Sequence, residues 1–132
     1  MDRVLPRSIL IPFCFRRCKP ESLVAQGSED GLIQFFERMV SGAGFVPVAR
    51  FVKIYDNGAY SAEITLEESK VAVYTWPEDG DAEGIIFFCN YSGNNMPKAT
   101  RLHASLREFF GPEDEDKLEP TVICRGGRLL VR

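Results

Sequence analysis

The chain has little of what ligand-built sites require. It holds a single histidine, His103, and four cysteines, Cys14, Cys18, Cys89 and Cys124, with no C-x-x-C pair. Structural zinc needs Cys and His clustered at short spacing, and Cys14 with Cys18 alone does not supply that. The apolar N-terminal stretch, residues 8–15, is too short to cross a bilayer and is broken by Pro12. No small-residue cleavage site follows it, so it does not read as a signal peptide, and a cytoplasmic protein with reduced thiols is expected. A cationic surplus is also missing. Lys and Arg total 16 against 19 Asp and Glu, a formal charge of −3, which argues against nucleic acid as the main partner. There is no internal repeat or low-complexity segment, and no membrane partner is implied.

What is present is the material of one soluble domain. The length is 132 residues, with 45% hydrophobic and 27% charged residues. Ten Phe, four Tyr and one Trp can fill a core without a metal or disulfide staple. Charge is unevenly spread. Residues 1–20 carry Arg3, Arg7, Arg16, Arg17 and Lys19 against Asp2 alone. Residues 63–83 carry Glu63, Glu67, Glu68, Glu78, Asp79, Asp81 and Glu83 against Lys70 alone. The acidic stretch reads as a solvated face or as a lure for a cationic small molecule.

Periodicity gives the elements. Residues 8–15 read as a strand. Leu32, Phe35, Phe36, Met39 and Val40 form one helical stripe, with Ser28 or Asp30 to cap it and Gly42 to end it. Residues 45–55 read as a strand, bent or placed at an edge by Pro47. Asp56-Asn57-Gly58 is a hairpin turn into a returning strand at 59–66. Glu67-Glu68 is a second turn into a strand at 69–76, which Pro77-Glu78-Asp79-Gly80 breaks. Residues 83–90 form the next strand, and 91–95 a loop. Pro97 opens a second helix with the stripe Ala99, Leu102, Leu106, Phe109 and Phe110, stopped by Gly111-Pro112. Residues 113–116 read as a solvated acidic link, 119–124 as a last strand, and Gly126-Gly127 as the start of a loose tail. The order β-α-β-β-β-β-α-β predicts an α+β two-layer sandwich, an antiparallel sheet with two helices on one face.

One segment carries chemistry. Glu68-Ser69 opens a strand that ends in Thr75-Trp76-Pro77-Glu78. A serine after glutamate at a strand start, with this ending at this spacing, resembles the pyruvoyl-dependent S-adenosylmethionine decarboxylase family in its small prokaryotic form. Element order matches over residues 8–124, and the specific motifs fall within 55–89. The resemblance implies a proenzyme that cuts itself between Glu68 and Ser69, giving a β chain 1–68 and an α chain 69–132 within the single domain 1–132. Ser69 would become the pyruvoyl group that forms a Schiff base with the substrate, with no metal and no pyridoxal phosphate. The logic is that no ordinary side chain is a good electron sink, so a carbanion left by CO2 needs a carbonyl cofactor.

Further positions follow from the same resemblance. Ser61, eight residues before Ser69, would assist processing. Cys89, twenty residues after it, would protonate the substrate carbon. Tyr55 would stack on the adenine and Glu78 would contact the ribose. One position departs from the family: Tyr74 stands where the family carries the histidine that takes the serine α-proton. A phenol, with pKa about 10, is a weak base at neutral pH. Five residues also separate Ser69 from Tyr74, so a regular strand points them to opposite faces unless a bulge intervenes. A strand serine, a buried cysteine and a sheet-edge tyrosine are equally ordinary structural features. The implied substrate is S-adenosylmethionine, yielding the aminopropyl donor for spermidine synthesis in a homodimer whose site is completed across the interface. Arginine or ornithine as substrate, or an uncleaved homologue that only binds a ligand or partner, are the alternatives.

Overall fold

A computed structural model describes residues 7–89, 95–124 and 128–130 of the chain. Among the described residues, eight strands and two α-helices follow one another: β1 (Arg7–Arg16), α1 (Glu29–Gly42), β2 (Pro47–Ile54), β3 (Tyr60–Leu66), β4 (Ser69–Trp76), β5 (Asp81–Phe88), α2 (Asn95–Phe110), β6 (Asp114–Asp116), β7 (Thr121–Cys124) and β8 (Arg128–Leu130). They form one sheet in the order β2-β3-β4-β5-β1-β7-β8, with β6 also pairing to β1. Every pairing is antiparallel. The predicted two-layer α+β sandwich is the architecture observed. No described helix is long and apolar enough to cross a membrane.

Local chemistry sets the boundaries. Ser28 caps α1, its hydroxyl accepting from the Gly31 amide at 3.1 Å. At the hairpin, the Tyr55 amide donates to the Ala59 carbonyl at 2.8 Å and Gly58 takes φ +86°, which a side chain would resist. The Asn57 side-chain oxygen accepts from the Ala59 amide at 3.1 Å and holds the turn. Pro47 sits on the edge strand β2, where the register shifts between Pro47 and Ala49.

Both helices cover one face of the sheet. Phe36 and Val40 from α1 and Ala99, Leu102, Leu106 and Phe110 from α2 share a core with Phe13, Phe15, Ile64, Val71, Val73, Ile86 and Phe88. Gly84 allows β4 and β5 to close, since a Cβ there would run into the Ala72 carbonyl and the Phe13 ring. The opposite face has no described element over it. Phe51, Tyr55 and Trp76, all from that side, are 58%, 46% and 44% exposed.

Three expectations change. Residues 113–116 are not a free link: Asp114–Asp116 pairs with β1 as β6. Its carboxylates are matched by cations, Asp116 to Arg16 at 2.8 Å and Glu115 to Arg107 at 2.8 Å, and Glu115 also lies 3.1 Å from His103. Acidic residues have low strand propensity, so this pairing is decided by β1 and Arg16, which are distant in sequence. The helix expected to open at Pro97 begins at Asn95. Arg128–Leu130, in the expected loose tail, pairs with β7, while Gly126 and Gly127 lie outside the described residues, as do 90–94 of the predicted strand end and loop.

Candidate active site

Two clusters of side chains stand at opposite ends of the central hairpin, β3–β4. The first surrounds the turn Glu67-Glu68. Glu68 has φ 59°, a left-handed backbone that costs a non-glycine residue about 1–2 kcal/mol. Ser69, the next residue, opens β4 opposite Leu66 on one side and Phe88 on the other. It is 6% exposed. Its Oγ is, among the described residues, the one buried side-chain oxygen or nitrogen with no hydrogen-bond partner. Buried hydroxyls are normally paired, so this one is held unsolvated beside its own backbone.

The neighbouring carbonyl is held instead. The Cys89 amide donates to the Glu68 carbonyl at 2.7 Å, and the Cys89 carbonyl accepts from the Asn95 side-chain amide at 2.7 Å. A cavity of about 470 Å³ opens beside this turn, lined by Gly44, Phe45, Val46, Glu67, Glu68, Asn95 and Lys98. The group is well built for one reaction. The Glu68 carbonyl is aligned by an N–H donor, and the Ser69 hydroxyl oxygen lies four bonds from its carbon, so attack would close a five-membered ring with no diffusional cost.

The second cluster lies on the uncovered face. Ser61 and Tyr74 are register partners across β3 and β4. The Tyr55 hydroxyl is 3.2 Å from the Ser61 hydroxyl. Tyr74 donates to Glu63 at 3.0 Å, and Lys70 lies 3.6 Å from the same carboxylate. Burial, then the hydrogen bond to Glu63 and that residue's charge, push the Tyr74 phenol above its usual pKa, so it stays protonated. Glu78 accepts from Asn57 at 3.3 Å and Trp76 donates to Glu83 at 3.1 Å. Tyr55, Asn57, Ser61, Tyr74, Trp76 and Glu78 share a cavity of about 360 Å³.

The predicted residues are therefore brought together in two sets, Glu68, Ser69 and Cys89 in one, Tyr55, Ser61, Tyr74 and Glu78 in the other. The register between β3 and β4 is unbroken from Ser69 to Tyr74, so no bulge puts these two on one face. Five residues of strand separate the sets by roughly 17 Å. Trp76, Glu63 and Asn95 were not singled out as site residues from the sequence. Trp76 had a signal, its place inside the motif. Glu63 had none, because its contact with Tyr74 depends on cross-strand register. Cys18 belongs to neither set: it is buried with its thiol pushed up to about 11 by desolvation, and donates to the Phe15 carbonyl at 3.5 Å. Among the described residues no three His, Cys, Asp or Glu side chains converge as metal ligands.

The sheet with helices on one face defines a small two-layer α+β domain. Comparison with known proteins narrows it. The family model described as S-adenosylmethionine decarboxylase matches residues 15–119. The chain belongs to the S-adenosylmethionine decarboxylase family. The crystal structure of the adenosylmethionine decarboxylase from Aquifex aeolicus is similar, with a TM-score of 0.70 and 18% identity, over 99% of this chain and 96% of that one. That match bears on the fold. No curated protein sequence matches.

Proposed function

We propose that this protein is a self-cleaving, pyruvoyl-dependent decarboxylase of S-adenosylmethionine, supplying the aminopropyl donor for spermidine synthesis. The observation that carries the reading is the buried, unpartnered Ser69 Oγ beside a Glu68 carbonyl held by the Cys89 amide. An orphaned hydroxyl at the motif's serine fits a group made from that residue.

In this reading the chain's own residues make the cut. The Ser69 Oγ adds to the Glu68 carbonyl carbon, whose oxygen is stabilised by the Cys89 N–H. The Glu68–Ser69 C–N bond breaks, the freed nitrogen takes the hydroxyl proton, and an ester joins Glu68 to Ser69. Loss of the Ser69 α-proton then breaks the Cβ–O bond, and Glu68 leaves as a carboxylate. Water completes the change, releasing ammonia and leaving a keto end group. That group, once formed, supplies an electron sink for the electrons left by CO2.

The other cluster supplies the proton acceptor and the substrate contacts. Tyr74 is held as a hydrogen-bond donor to Glu63, so it takes the α-proton as its own proton passes to that carboxylate. Ser61 positions the ester. Tyr55 offers a ring to a flat base, and Glu78 offers an acceptor to a ribose hydroxyl. Cys89 gives a proton to the substrate carbon.

Because the two sets lie at opposite ends of one hairpin, a homodimer supports the chemistry better than a single chain. A second copy packed on the uncovered face would bury Phe51, Tyr55 and Trp76 and close the cavity that holds Tyr55, Ser61 and Tyr74.

Freshly purified protein on a denaturing gel tests this. Fragments of 1–68 and 69–132 are expected, with a Ser69→Ala control in one piece. A wild-type chain that stays whole on incubation overturns the reading in favour of a non-catalytic binding protein. Labelled CO2 release from S-adenosylmethionine, arginine and ornithine assigns the substrate of cleaved protein.

A further inference from the structure

Cys89 lies one residue past the end of β5, whose last ladder pair is Phe88 with Ser69. Its two backbone groups nonetheless have separate partners: the N–H reaches the Glu68 carbonyl at 2.7 Å, and the C=O receives the Asn95 side-chain amide at 2.7 Å. Asn95 opens α2, and α2 is anchored by Ala99, Leu102, Leu106 and Phe110, all fully buried. A rigid helix thus reaches through one side chain to the residue that holds the carbonyl at the cut. Asn95 also lines the cavity beside that turn.

We propose that Asn95 is a positioning residue for self-cleavage. It fixes the backbone of Cys89 from its carbonyl side so that the N–H stays aimed at the Glu68 carbonyl during attack. The proposal rests on the self-cleavage reading above. Fixing both ends of residue 89 also sets where the Cys89 thiol starts, so one hydrogen bond serves both functional atoms of that residue.

The test uses Asn95→Asp and Asn95→Ala in the full-length chain. Asp is nearly the same shape and is favoured at a helix start, yet it cannot donate to the Cys89 carbonyl. If Asn95 positions the amide, Asn95→Asp cuts itself roughly tenfold or more slowly, the scale of small misplacements at a reacting centre. Its unfolding midpoint, measured in a Ser69→Ala background that cannot cut, stays equal or rises. In that background, cysteine-labelled with 15N, the Cys89 amide resonance shifts and exchanges faster in Asn95→Ala; Cys89→Ser identifies the peak. Wild-type cleavage rates in Asn95→Asp, or an unchanged Cys89 resonance, overturn the proposal while leaving self-cleavage intact. A slow Asn95→Asp whose unfolding midpoint has also dropped assigns Asn95 to folding alone and overturns it. A wild-type chain that never cuts removes the proposed function, and this inference with it.

Discussion

Ser69 and Tyr74 share one unbroken strand, β4, and point to opposite faces of the sheet, Ser69 into the buried layer and Tyr74 into the cavity with Ser61. If they act on one another, they do so between two copies. Co-expression of Ser69→Ala and Ser61→Ala chains separates the cases. In a mixed dimer the Ser61→Ala chain keeps its own Ser69 and meets an intact Ser61 on its partner. Fragments of the Ser61→Ala chain are expected only when both chains are made together; identical behaviour of each variant alone and mixed argues for chemistry within one chain.

Glu63 is the acceptor for the Tyr74 proton at 3.0 Å. Glu63→Gln preserves shape and can still accept a hydrogen bond, but it cannot take a proton at neutral pH. The acyl shift should proceed and the elimination stall, slowing the cut by roughly a hundredfold, within the range of a lost general base. Hydroxylamine would then split the accumulated ester at residue 69. Full-rate cleavage in Glu63→Gln excludes the relay.

The left-handed backbone at Glu68, φ 59°, stores strain beside the bond that the proposed self-cleavage would break. Asn tolerates that conformation better than Glu. In a Ser69→Ala background, Glu68→Asn should be more stable by about 1 kcal/mol in urea titrations. With Ser69 restored, cleavage should slow by up to about fivefold, the same energy expressed as a barrier. A faster cut would show that strain at this residue does not drive the shift.

His103 is desolvated beside the stacked Phe13 and Phe15 rings, and this lowers its pKa despite Glu115 at 3.1 Å, with Arg107 adding to the lowering. A folded pKa below the unfolded value of about 6.5 means the unfolded chain binds protons first. The associated stability is full above that pH and falls as pH drops towards the folded value. Unfolding midpoints should decline between pH 7.5 and 5.5, and the decline should be shallower in His103→Gln. Equal slopes in the two proteins would mean that other groups carry the acid sensitivity.

Several features were written in the chain itself. Ser28, Asn57-Gly58 and the stripe of Leu32, Phe36 and Val40 fix α1 and the first hairpin, because capping, positive φ and a 3.6-residue period are local properties. The Glu68-Ser69 and Thr75-Trp76-Pro77-Glu78 motifs pointed to the family for the same reason. The acidic strand Asp114–Asp116 was hidden, since its place beside β1 depends on pairing with β1 and on Arg16, which are far away in sequence. So were the contacts of Glu63 with Tyr74 and of Asn95 with Cys89. Which side chains share a face and which meet across strands depends on register and on helix docking, and these are fixed only when the whole core closes. The tertiary structure therefore decided the point that matters most for function: with no bulge in the β3–β4 register, Ser69 and Tyr74 stay on opposite faces, and the strand between them puts the two halves of the candidate site at opposite ends of one hairpin.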